Sequence, residues 1–158
     1  MRTVVIVNET KDTTLATAEW RGTVIGRARG LLGRGGLGAG EGIVIDPCSS
    51  VHMFFMRFAL DVVYVDREGR VVKTVAGLRP FRLSVGGRKA HQTIELAVGT
   101  IAKSGTEPGD QLRFHDTDQL TGSRYAAKTR AEWAVRRRQG GRTAARVAHP
   151  CVSLRRCG

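Results

Sequence analysis

The residues able to do chemistry are concentrated in one stretch, CSSVHMFFMRFALD, at positions 48–61. Within fourteen positions it holds a thiol (Cys48), the hydroxyls of Ser49 and Ser50, an imidazole (His52), two thioethers, a guanidinium (Arg57) and a carboxylate (Asp61). A thiol and an imidazole suggest nucleophilic catalysis, and thiolate, imidazole and carboxylate together suggest a metal ion. A guanidinium among hydrophobes suggests the capture of an anion.

Spacing restrains the first two ideas. In an extended strand Cys48 and His52 stand about 13 Å apart, at roughly 3.3 Å per residue, too far to share a proton or a metal. Further ligands would have to come from His91, Glu95 or Asp61 on neighbouring strands, and the chain has no CxxC or HxxxH spacing. Without a bulge that folds the segment back, Cys48 is expected to be a small buried hydrophobe and His52 a hydrogen-bonded residue at the core edge. Full extension would put Ser50, His52, Phe54 and Met56 on one face, and Val51, Met53, Phe55 and Arg57 on the other. Charges beside such apolar neighbours are costly to bury unless paired. Arg57 and Asp61 are therefore expected to form an ion pair, with each other or with Glu95, or to contact a ligand. Glu95 itself, inside TIELAV, is expected to meet Arg57, Arg88 or Lys89.

The elements that must position these residues read as short strands. Residues 3–7, 42–46, 51–58, 60–66, 70–75, 93–98 and 111–114 are rich in β-branched or aromatic residues and bounded by turn signals. Residues 60–75 form a hairpin around Asp66-Arg67-Glu68-Gly69, and residues 13–20 read equally as a strand or the approach to a helix. A short helix is expected from Thr23 through residue 34. The glycine-rich stretch 33–42 reads as a loop, with neither GK[ST] nor GxGxxG to make it a phosphate cradle. The expected fold is a compact, mainly antiparallel β-sandwich or barrel with one short α-helix, over residues 1–115.

Residues 116–158 are expected to be a linker and basic tail. The whole chain carries a net charge of +12. Residues 1–122 hold 16 Lys and Arg against 13 Asp and Glu, whereas residues 123–158 hold 10 against 1. The tail is poor in large hydrophobes, which predicts disorder or order only with a partner, and its charge suits nucleic acid or an acidic partner. The opening MRTVVIVNETKD is too short in apolar residues for a signal peptide, and no run approaches the ~20 apolar residues of a membrane span. A cytoplasmic protein without membrane attachment is expected. Three cysteines, Cys48, Cys151 and Cys157, suggest no disulfide framework.

The segments ARGLLGRGGL (28–37), GEGIVIDPCSSVHMFFMRFALDVVYVDREGRVV (40–72) and TIELAVGTIAKSGTEPGDQL (93–112) resemble the domain of unknown function 192 family of small bacterial and archaeal proteins. The resemblance implies a compact β-rich domain and carries no established activity. Its characteristic residues fall at Gly30, Leu31, Met56, Arg57, Asp61, Gly69, Glu95, Gly99 and Asp110. Position 55 is Phe where members often carry Gly or Trp.

Three functions compete. The preferred one is a binding module taking a small molecule or peptide near the 48–61 segment, with contacts from Ser50, His52, Met56, Arg57, Asp61 and Glu95. The second is an enzyme using a Cys48 thiolate or a metal near His52. The third is an interaction protein acting through the basic tail. Spacing completes no catalytic constellation, so the first needs no cofactor or metal and asks least of the residues.

Overall fold

The computed structural model describes residues 2–22 and 35–117. Among these residues nine strands and one short helix follow in chain order. They are β1 (Arg2–Asn8), β2 (Thr13–Arg21), β3 (Glu41–Ile45), β4 (Ser50–His52), β5 (Leu60–Val65), β6 (Val71–Leu78), β7 (Leu83–Val85), β8 (Gln92–Leu96), α1 (Thr100–Ser104) and β9 (Leu112–Asp116). Seven strands make one sheet in the order β6-β5-β8-β3-β2-β1-β9, while β4 and β7 form a separate two-stranded ribbon. Every pairing is antiparallel except β2 with β3, which is parallel.

The sheet curls into a half-barrel. Its two outermost strands approach at one corner, where Arg70 bridges Gln111, Val71 N–H donates to Asp110 O, and Leu112 N–H donates to Gly69 O. Gly69 is required at that corner, because it has φ +83° and a Cβ there would strike the Leu112 carbonyl. Inside the curl lie Val4, Ile6, Ala18, Val44, Val63, Ile94 and Leu112, with Ile101 of α1 packed against them. The opposite face buries Ile43, Ile45, Val62 and Tyr64 beneath Val51, Met53 and Met56. Strand β5 is covered on both sides and all six of its residues are buried, which explains its nearly unbroken apolar sequence.

The expected β-rich fold is present, and so is the 60–75 hairpin, as β5 and β6. Residues 13–20, left open by sequence, belong to β2. Two local features differ from expectation. The 51–58 strand ends at His52, and β7 was not anticipated. The helix expected at 23–34 lies outside the described residues, whereas the helix seen is α1. It is short, entered at Gly99 and left at Gly105, both left-handed, so it offered no amphipathic period to read.

Candidate functional site

The segment from Cys48 onward crosses the outer face of the sheet. Cys48 N–H donates to His91 O at 2.7 Å, and Thr93 Oγ1 donates to Cys48 O at 2.9 Å. The chain then pairs with β7 in the register Ser50↔Val85, Val51↔Ser84, His52↔Leu83. Alternation in this ribbon turns Val51 and Ser84 inward and leaves Ser50, His52, Leu83 and Val85 exposed. The ribbon can lie this close because residue 86 is glycine, where a Cβ would run into the Tyr64 ring. Ser84 Oγ and Tyr64 Oη are enclosed beneath it, neither in an aligned hydrogen bond among the described residues. Burial pushes the Tyr64 hydroxyl above its usual pKa range, with Ser84 acting the other way.

Beyond Met53 the alternation breaks. Phe55 adopts a left-handed conformation, φ +63°, and Met56 N–H closes a turn onto Met53 O. Met56 consequently enters the core, opposite to the face that full extension gives it, while Phe54 and Phe55 both face outward. This left-handed backbone is one that a residue with a side chain rarely adopts. Phe81 in the adjoining turn is also left-handed, φ +59°. The two turns are joined through Met53, whose N–H donates to Arg82 O and whose carbonyl accepts from Phe81 N–H, both at 2.8 Å.

An apolar surface results. Six large hydrophobic residues are exposed among the described residues, and five of them (Phe54, Phe55, Phe81, Leu83 and Val85) lie on this ribbon and its turns. Phe55 is 79% exposed and Phe81 63%, and their rings meet edge-on with centroids 6.4 Å apart. Phe54 stacks on His52 at 5.6 Å. Arg57, Arg79 and Arg82 stand exposed in the same turns.

The structure thus divides the residues singled out by sequence. Ser50, His52 and Arg57 are on the outward surface, whereas Met56, Asp61 and Glu95 are buried within the domain. The expected Arg57–Asp61 ion pair is not formed. Asp61 is 1% exposed, and its carboxylate accepts from Gly77 N–H and Ile101 N–H, each at 2.9 Å. Two backbone amides, one at a β6 bulge and one in the first turn of α1, replace the arginine. Glu95 meets neither Arg57, Arg88 nor Lys89. It lies opposite Ile43 and Val62 on adjacent strands, and burial raises its pKa to about 7 against the opposing pull of Arg21.

Cys48 and His52 are not brought together either. The Cys48 thiol is half-buried against the outer core cluster and donates to Ser50 O at 3.0 Å, while His52 stacks on Phe54. The imidazole of His91 lies 3.5 Å from the Asp46 carboxylate. No group of three or more His, Cys, Asp or Glu among the described residues is arranged to hold a metal ion. Among those residues no helix is long and apolar enough to cross a membrane. The basic tail lies outside them.

Sequence reasoning missed Phe81, Arg82, Leu83 and Val85, although one signal was legible. Residues 47–60 and 69–94 together carry seven Lys and Arg and no Asp or Glu.

With this geometry in view, the comparisons decide the family. The model described as "Uncharacterized ACR", domain of unknown function 192, matches residues 5–114. The chain belongs to this family. Within it, a UPF0127 protein of Thermococcus sibiricus is 38% identical over 64 residues, 40% of this chain and 41% of that protein. A UPF0127 protein of Pyrococcus abyssi is 36% identical over 66 residues, 42% of this chain and 56% of that protein. The matched region thus spans about half the length of these curated relatives. The half-barrel also resembles the crystal structure of a protein of unknown function from Novosphingobium aromaticivorans, with TM-score 0.62 and 23% identity over 70% of this chain and 83% of that one. A crystal structure titled a putative transcription regulator, from Sinorhizobium meliloti, gives TM-score 0.63 and 21% identity over 72% and 92% of the two chains. Both likenesses speak for the family's fold alone.

Proposed function

We propose that the protein is a binding module and that it takes a polypeptide segment on the outward face of the β4–β7 ribbon. The observation that carries this reading is the pair Phe55 and Phe81. Each holds a left-handed conformation disfavoured for a side chain, and each presents its ring to water. Neither the strained backbone nor the exposure of the ring favours folding, and backbone strain at an exposed apolar cluster is characteristic of contact surfaces. The surroundings match an interface centre. Aromatic anchors and arginines dominate such centres, and Ser50 and His52 supply polar groups beside Val85 and Leu83.

The two catalytic readings draw no comparable support, since Cys48 bonds to a backbone carbonyl and His52 faces away from the core. The test is a peptide array probed with the full chain and with the double variant Phe55→Ser/Phe81→Ser. Wild type should select peptides with apolar residues, and the variant should lose about tenfold or more in affinity while keeping its melting temperature. Unchanged selection in a folded variant would remove the ribbon face from the function.

A further inference from the structure

We infer that the segment bound on the ribbon face is acidic, with apolar anchor residues flanked by Asp or Glu; this rests on the binding-module reading above. Arg57, Arg79 and Arg82 stand beside the phenylalanines in the two turns, all exposed and without an ion pair among the described residues. Acidic residues that would neutralise them are absent from the whole of 47–60 and 69–94, where seven Lys and Arg occur. A carboxylate approaching this surface finds guanidinium groups ready to make charge-assisted, bidentate hydrogen bonds, and no side chain needs to leave an existing pair first.

Charge and composition separate this occupant from three others. A second copy of the same face would set arginine against arginine, so self-association there is opposed. An anionic bilayer suits the phenylalanines and arginines, but it would draw Ser50 and His52, which lie opposite Val85 and Leu83, into an apolar layer without partners. A nucleic-acid strand suits the arginines, but Leu83 and Val85 offer no ring for a base, and Phe55 and Phe81 stand edge-on at 68°. A polypeptide satisfies all parts at once. Its apolar side chains cover the rings and aliphatic residues, its backbone bonds to Ser50 and His52, and its carboxylates meet the arginines.

The experiment uses the full chain and fluorescein-labelled peptides carrying two Leu or Phe anchors at varied spacing, with flanks made of Glu, Gln or Lys. Affinity is read by fluorescence anisotropy at low and high salt. The Glu peptides should bind about tenfold more tightly than their Gln counterparts at low salt, the Lys peptides least, and the Glu advantage should shrink as salt rises. The variant Arg57→Gln/Arg79→Gln/Arg82→Gln should abolish the difference between Glu and Gln peptides, with the larger loss falling on the Glu peptides. Phe55→Ser/Phe81→Ser should weaken both. Equal binding of Glu and Gln peptides would overturn the acidic assignment and leave the ribbon reading standing. Failure of every peptide, with Phe55-dependent binding to phosphatidylglycerol vesicles or oligothymidylate instead, would overturn both.

Discussion

Asp61 offers the sharpest test of the packing described above, because sequence and structure assign it different partners. If its charge were balanced by Arg57, removing either residue would strand the other, and the two losses would be similar. The structure instead gives the Asp61 carboxylate two backbone donors, Gly77 N–H and Ile101 N–H, at 2.9 Å each, while Arg57 is exposed. Hydrogen bonds to a charged group contribute about 1.5–3 kcal/mol each, and a stranded buried donor costs about 1–3 kcal/mol. Asp61→Ala should therefore cost about 4 kcal/mol, and Asp61→Asn, which retains one acceptor and turns an NH2 toward the other amide, about 2 kcal/mol. In a domain of this size the Asn variant should melt roughly 8 °C lower. Arg57→Ala should stay within about 0.5 kcal/mol of wild type. Urea unfolding of the two single mutants and the double mutant measures all these quantities in one cycle. Equal losses for Asp61→Ala and Arg57→Ala, with a coupling of about 2 kcal/mol or more, would refute the backbone clamp.

Three further outcomes are expected. Burial raises the Glu95 pKa to about 7, so the folded state holds a proton that the unfolded chain releases near 4.5. Its contribution to stability is thus complete below pH 4.5 and is lost as pH rises toward 7. Glu95→Gln should gain up to about 3 kcal/mol over wild type at pH 8 and nothing at pH 4; chemical denaturation across that range that shows a constant difference would contradict this. Asn8 is fully buried and donates to Asp110 at 2.8 Å and to Thr106 at 3.2 Å, so Asn8→Ala should cost about 3 kcal/mol. A change below about 1 kcal/mol in its urea midpoint would count against that network. Phe55→Gly should fold with stability equal to wild type or about 1 kcal/mol higher, since relief of the left-handed strain outweighs the glycine's greater chain entropy. It should also lose peptide affinity, and a clear drop in melting temperature would show that Phe55 serves the fold.

The sequence by itself determined the β-rich class and the β5–β6 hairpin with its turn at Gly69. Those features are local: alternation, β-branched runs and turn residues act between near neighbours, and so they can be read without knowing what packs above or below. The strain at position 55 was not legible, because a Phe there signals nothing until the backbone is known to be left-handed. The partners of the charged residues were decided by tertiary structure alone. Arg57 and Asp61 are four residues apart and chemically complementary, yet α1 and the β6 bulge, both distant in sequence, deliver amides to Asp61 first. Glu95 likewise takes its environment from β3 and β5, and the cation that acts on it, Arg21, from β2, which no spacing around TIELAV discloses. The exposed surface is the extreme case. Phe55 and Phe81 lie 26 positions apart in the chain and meet because the hydrogen bonds of Met53 join their turns, a long-range pairing that only the folded ribbon creates.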